Sequence, residues 1–205
     1  MKTSLRILAM SGLLMFSQSC SKDDDDKIKI QEHDKNVMMG IMHVMTAKMM
    51  AMPMSKDPDD DFAMMMKIHH QGAIDMANAE LKDGDDAKMK EMAQKIIDAQ
   101  KAEIVQLDAF IAIHNPHMVS MEFNSQMMKE MDKNAKQADL QVINGDIDHD
   151  FAILMIGHHH AAIENSRLEL IYGHDVSMKS MAQKIIDAQL TEIKDLQEWL
   201  LSDGK

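Results

Sequence analysis

One block of this sequence is written twice, and the duplication constrains the fold more than any other feature. Asp61-Phe62-Ala63 returns as Asp150-Phe151-Ala152, His69-His70 as His158-His159, and Met89-Lys90 as Met178-Lys179. The run Ala93 to Gln100 recurs unchanged as Ala182 to Gln189. Each pair stands 89 positions apart, without a gap from Asp61 to Leu107, and the same offset carries Met38, Met39 and Met42 onto Met127, Met128 and Met131. Self-similarity at a fixed offset means one supersecondary unit used twice. The units are assigned to residues 31–114 and 115–205.

Within each unit the helical period dominates. Met38, Met42, Met45, Met49 and Met52 fall at spacings of four, three, four and three, a single helical stripe. Pro53, Pro58 and the acids at Asp57, Asp59 and Asp60 end that helix and cap the next, because free N–H groups at a helix start favour negative charge. Phe62, Met66, His69, Ala73, Met76 and Glu80 form the stripe of a second helix ending at Gly84. Met89, Ala93, Ile96, Gln100, Glu103, Leu107 and Phe110 form that of a third, which ends before Asn115-Pro116. The second copy repeats the pattern, with breaks at Gly145 and Gly173 and with Trp199 on its last stripe. Runs of β-branched residues with period two are absent. The prediction is an all-α fold, a helical bundle built from two tandem three-helix repeats.

Residues 1–19 read as an address. Lys2 and Arg6 precede an apolar run, Ile7 to Phe16, that is too short to span a bilayer. Small residues then lead to Cys20, which resembles the acylated Cys of a bacterial lipoprotein, a lipid anchor. Residues 20–30 read as an acidic, solvated tether, since Ser21 to Lys27, with four consecutive Asp at 23–26, has no apolar face. The expectation is an exported protein of the cell envelope, an outer-membrane lipoprotein facing the periplasm or the cell surface. A plain secretory signal with a polar spacer is the alternative, and it too places the protein outside the cytoplasm.

Composition enters through its anomaly. The 205 residues include 25 Met and 11 His but only 3% aromatic residues. With a single Cys, disulfide frameworks and Cys-ligated zinc or iron–sulfur sites are excluded. The net charge of −12 repels phosphate backbones, so no nucleic-acid partner is expected. Met is a flexible filler, and an aromatic-poor helical core must be filled by something. Two places exceed that need. Met39 and Met50 flank His43 on a face beside the stripe, next to Met42, and Met50, Met52 and Met54 alternate across Pro53 in a segment read as loop. In addition, Met66, His69 and His70 crowd one helical turn, matched by Met155, His158 and His159, with His160 added.

A lone His on an apolar stripe is ordinarily a packed, hydrogen-bonded side chain. Two Met–His–His clusters at matching positions of a duplicated bundle point instead to metal. Thioethers are neutral and soft, imidazoles are intermediate, and together they suit Cu(I) and the equally soft Ag(I). Outside the cytoplasm a thioether also escapes disulfide formation. Glu80, Gln100 and Glu103, with Glu169, Gln189 and Glu192, lie on otherwise apolar stripes and must find partners if buried; a structural hydrogen-bond network is the first reading of them. Asp57, Asp59 and Asp61, echoed by Asp146, Asp148 and Asp150, mimic the start of a calcium loop, but Ile68 stands where its closing Glu belongs, so capping is favoured. His114-Asn115-Pro116-His117, between the copies, reads as a solvated turn able to supplement a metal site.

Asp61-Phe62-Ala63, Met66, His69-His70 and Ala73-Ile74, followed by Ala93-Gln94, Gln100 and Glu103-Ile104, occur in both copies. In this the chain resembles family 305 of the domains of unknown function (DUF305) over nearly all of its length beyond the signal. The resemblance implies a ferritin-like helical bundle, usually exported. Through the family's Met- and His-rich periplasmic copper-binding members it implies Cu(I) and Ag(I) binding, pointing to Met66, His69, His70, Met155, His158 and His159 with the opening Met-rich helix as a further source.

These readings converge on an exported lipoprotein that binds and buffers Cu(I), with a copper-delivery or copper-acceptor protein as partner and the membrane met only through a lipid anchor. Two rivals stand beside it. One is a di-metal or copper oxidase using His69, His158, Glu80 and Glu169; the other is a structural envelope lipoprotein in which Met is filler.

Overall fold

The computed structural model describes residues 30–202; the signal segment, Cys20 and all but the last residue of the tether lie outside the described residues. After a single 3-10 turn at His33–Lys35 come six helices: α1 Val37–Met50, α2 Pro58–Asp83, α3 Ala87–Ile113, α4 Met121–Asp139, α5 Ile147–Tyr172 and α6 Val176–Ser202. The protein is an all-α helical bundle, and no strand occurs among the described residues. None of these helices is long and apolar enough to cross a membrane.

Each helix starts on a side chain that accepts from its first turn: Asn36, Asp57, Asp86, Ser120, Asp146 and Asp175. These caps satisfy N–H groups that the helix cannot. The offset of 89 maps α2 onto α5 and α3 onto α6, while α4 is α1 with an extended start. α2 and α5 pack on each other at the centre. α3 lies along α2, α6 along α5, α1 on α2 and α4 on α5, and α1 touches α4. The copies are thus related by a pseudo-two-fold that passes between α2 and α5.

The stripes read from sequence are the core. Met38, Met39, Met66, Met76, Met89, Met127 and Met155 are fully buried with Phe62, Phe123 and Phe151. Burying such a side chain stabilises by about 1.5–3 kcal/mol. The loop after α1 departs from expectation. Met52 is buried and Met54 half-buried against the core, because the chain turns inward over the end of the bundle, and only Met50 is exposed.

The acid triplets are capping and splicing devices. Asp61 accepts from Ser55 and Lys56 N–H groups, and Asp150 from those of Asn144 and Gly145. Asp59 of the first copy accepts from the N–H groups of His174 and Asp175 in the second; Asp148 returns the favour to Asp85 and Asp86. Against these sit the fully buried Glu169 and Glu80. Burial, and then the facing Asp148, raise Glu80 to about 8; burial and Asp59 raise Glu169 to about 9. Each pair is a carboxylic acid held against a carboxylate, across the junction of the copies. Gly84 and Gly173 have ordinary negative φ. They are needed because a Cβ at either would overlap the carboxyl of Glu80 or Glu169.

Candidate metal site

Where α2 and α5 cross, the pseudo-two-fold brings His69 and His158 together. Both are buried, and their ring centroids lie 3.7 Å apart. His158 Nε2 is 3.0 Å from the carbonyl oxygen of His69. A carbonyl only accepts, so this nitrogen carries the proton and Nδ1 keeps its lone pair. Neither His158 Nδ1 nor either ring nitrogen of His69 has a hydrogen-bond partner. Burial, with lesser repulsion from neighbouring imidazoles, holds both rings well below the ordinary histidine value and therefore neutral. Unpartnered buried nitrogens are costly in a finished core, and these two rings offer lone pairs without proton loss.

The adjacent pair does different work. His70 and His159, one residue on, turn to the outer helices and meet Glu103 of α3 at 2.7 Å and Glu192 of α6 at 2.9 Å. The contact is one of charge proximity: neither ring nitrogen of His70 or His159 makes a hydrogen bond, so the hydrogen-bond network expected of these stripes is not formed at these pairs. Glu80 and Glu169 are engaged by Asp148 and Asp59 and do not turn to the imidazoles.

A cavity of about 510 Å³ opens over His69 and His158 between α1, α4 and α5. Met42, Met45 and Met49 of α1, Met65 of α2 and Met131 of α4 line it, and exposed His160, Gly157 and Leu140 stand at its mouth. Of the residues singled out from sequence, Met42, His69, His158 and His160 meet here. Met39, Met66 and Met155 are fully buried but do not line the cavity. His43 faces outward and pairs with Asp139 at 2.8 Å.

Met45, Met49, Met65 and Met131 were not singled out as ligands. The signal for three of them was a difference between copies: at the offset of 89, Met45, Met49 and Met65 correspond to Asn134, Ala138 and Leu154. Sulfur enriched in one copy at matched positions makes the cavity one-sided. Five thioethers above two neutral imidazoles form a soft donor set, with the Glu164 carboxylate, paired with Lys133, also on the lining, and its chemistry is retention of a soft cation.

The DUF305 family, a domain of unknown function, matches residues 6–111 and 113–200. Three solved structures share the fold. CopM in its Cu(I)-bound form superposes with a TM-score of 0.53 at 26% identity, covering 70% of this chain and 95% of that one. CopM in the Ag-bound form obtained by co-crystallization gives 0.54 and 25%, covering 71% and 96%. A DUF305 fragment from Deinococcus radiodurans gives 0.53 and 22%, covering 72% and 98%. No curated protein matches the chain. With two successive matches spanning nearly its whole length, the chain belongs to the DUF305 family.

Proposed function

We propose that this protein is an exported copper-binding lipoprotein that takes up Cu(I), and Ag(I) alike, as cargo and so lowers free copper at the cell envelope. The observation that carries the reading is the sulfur-lined cavity with the unpartnered, neutral imidazoles of His69 and His158 at its floor. Cu(I)- and Ag-bound CopM, a protein of the same fold at 25–26% identity, supports the same class of cargo. Loading such a site releases no proton, unlike loading a thiol. Exchange with a copper-delivering or copper-accepting protein runs through the mouth at His160. Acylation of Cys20, followed by the acidic tether, holds the bundle at the outer membrane, facing the periplasm or the cell surface; the basic start, the short apolar run and the small residues before Cys20 support this.

The test is a Cu(I) and Ag(I) titration of the chain from residue 28 in competition with a Cu(I) chelator. Tight uptake, weakened by His69→Ala with His158→Ala, is expected; failure to compete with the chelator ends the reading. For the anchor, Cys20→Ala is expected to move the protein from the membrane to the soluble fraction. A variant that still sediments with membranes rules out that anchor.

A further inference from the structure

The turn between the copies is not a solvated link. His114 follows α3 and stacks on Phe110, with ring centroids 4.5 Å apart, and its side chain is only 10% exposed. Its Nε2 is buried, has no hydrogen-bond partner, and points at Asp57 Oδ1 from 3.4 Å. His117, 61% exposed, brings Nδ1 to 3.6 Å from Asp57 Oδ2. Asp57 itself is buried and fixed, because its carboxylate accepts from the N–H groups of Asp59, Asp60, His117 and Met118. Among the described residues, this is the one place where three His or acidic donors lie within 4.8 Å of one another.

We propose that Asp57, His114 and His117 form a second metal site, for a divalent cation of borderline softness such as Zn2+ or Cu2+. Ligands at about 2.0–2.1 Å around a tetrahedral ion stand about 3.3–3.4 Å apart. The separation of His114 Nε2 from Asp57 Oδ1 already has that value. His117 Nδ1 lies 3.2 Å from the carbonyl of Asn115. As an exposed ring it completes the set by a tautomer change or a rotation about its side-chain bonds. Two imidazoles and a carboxylate leave a fourth position for water, and this donor set takes divalent borderline ions in preference to Cu(I). The site shares no residue with the thioether cavity: Asp57 caps α2 twelve residues before His69, about 18 Å along the helix. A cation there ties the end of α3 to the start of α2 at the junction of the repeats.

The experiment titrates the chain from residue 20 with Zn2+ and, separately, with Cu2+, following bound metal and the thermal midpoint. One tight equivalent is expected, with a rise in midpoint. Affinity should fall at least tenfold in His117→Ala, an exposed position whose loss leaves the fold intact, and in His114→Phe, which keeps the stack on Phe110. His43→Ala, an outward-facing position on α1 that belongs to neither site, serves as the control and should bind as the wild type does. Equal affinity in the wild type and His117→Ala, for both ions, overturns the site. The Cu(I) titration of His117→Ala keeps the two readings apart, since the cavity does not include this residue.

Discussion

At the scale of single residues, two positions related by the offset carry the same unusual backbone with different side chains. Lys56 has φ of 74° and Gly145 has φ of 84°. Both sit where the loop curls its N–H groups onto an Asp, Asp61 or Asp150. Glycine adopts this region freely, whereas other L-residues pay roughly 1–2 kcal/mol. Gly145→Ala should therefore destabilise by about 1 kcal/mol, and Lys56→Gly should stabilise by several tenths, the glycine's extra unfolded-state freedom offsetting part of the relief. Urea midpoints at unchanged m-value would show both; a destabilised Lys56→Gly contradicts the argument. The imidazoles give a second residue-scale outcome. Because burial holds His69 and His158 well below 6.5, protons do not compete with a metal there until the solution is well below that pH. Cu(I) affinity measured by chelator competition should be flat from pH 8 to 6.5, and a decline beginning near 7 would mean that ordinary, exposed histidines hold the ion.

The helices themselves were legible because their stripes are long and their starts are acidic. Phe62 to Glu80 and Met89 to Phe110 were read as buried, and they are, apart from the half-buried Glu103. Met54 was misread, and Met52 was read both on the buried stripe, where it lies, and in a loop, because proline marks a helix end without saying whether the chain then turns outward. Gly84 and Gly173 were read correctly as helix ends, but the reason for glycine is the carboxyl folded over each, a contact no local pattern announces. That contact makes a pH prediction. The unfolded chain loses the Glu80 and Glu169 protons near 4.5, the folded one at about 8 and about 9. Folding therefore takes up protons, and the stability this contributes is whole below 4.5 and lost as pH rises towards those values. His69 and His158 act oppositely, lowering stability as pH falls below 6.5, so the clean window is pH 6.5 to 9. There stability should fall by on the order of 2 kcal/mol for each pair, read as a lower wild-type thermal midpoint. Glu80→Gln with Glu169→Gln should flatten the profile, since an amide still donates to Asp148 or Asp59 and cannot ionise. An unchanged slope would mean that the pairs are already ionised or wet.

For the whole molecule, the duplication made half of the candidate site readable. His69 and His158 were identifiable because an offset maps one onto the other, yet only the crossing of α2 and α5 shows that they meet while His70 and His159 part company. The sulfurs were not separable in sequence, because a core methionine and a ligand methionine occupy the same stripe. The bundle separates them by place: Met42, Met45 and Met49 line the cavity, whereas Met76 and Met89 are equally part of the core and do not. Met to Leu nearly conserves volume and usually costs under about 1.5 kcal/mol, so it removes the donor while sparing the packing. Replacing Met42, Met45 and Met49 by Leu should weaken Cu(I) binding at least tenfold, with a thermal shift no larger per site than that of Met76→Leu with Met89→Leu. The second set should leave Cu(I) affinity unchanged. If both sets shift affinity equally, or neither does, the sulfurs of α1 are filler, and the asymmetry between α1 and α4 is a matter of packing alone.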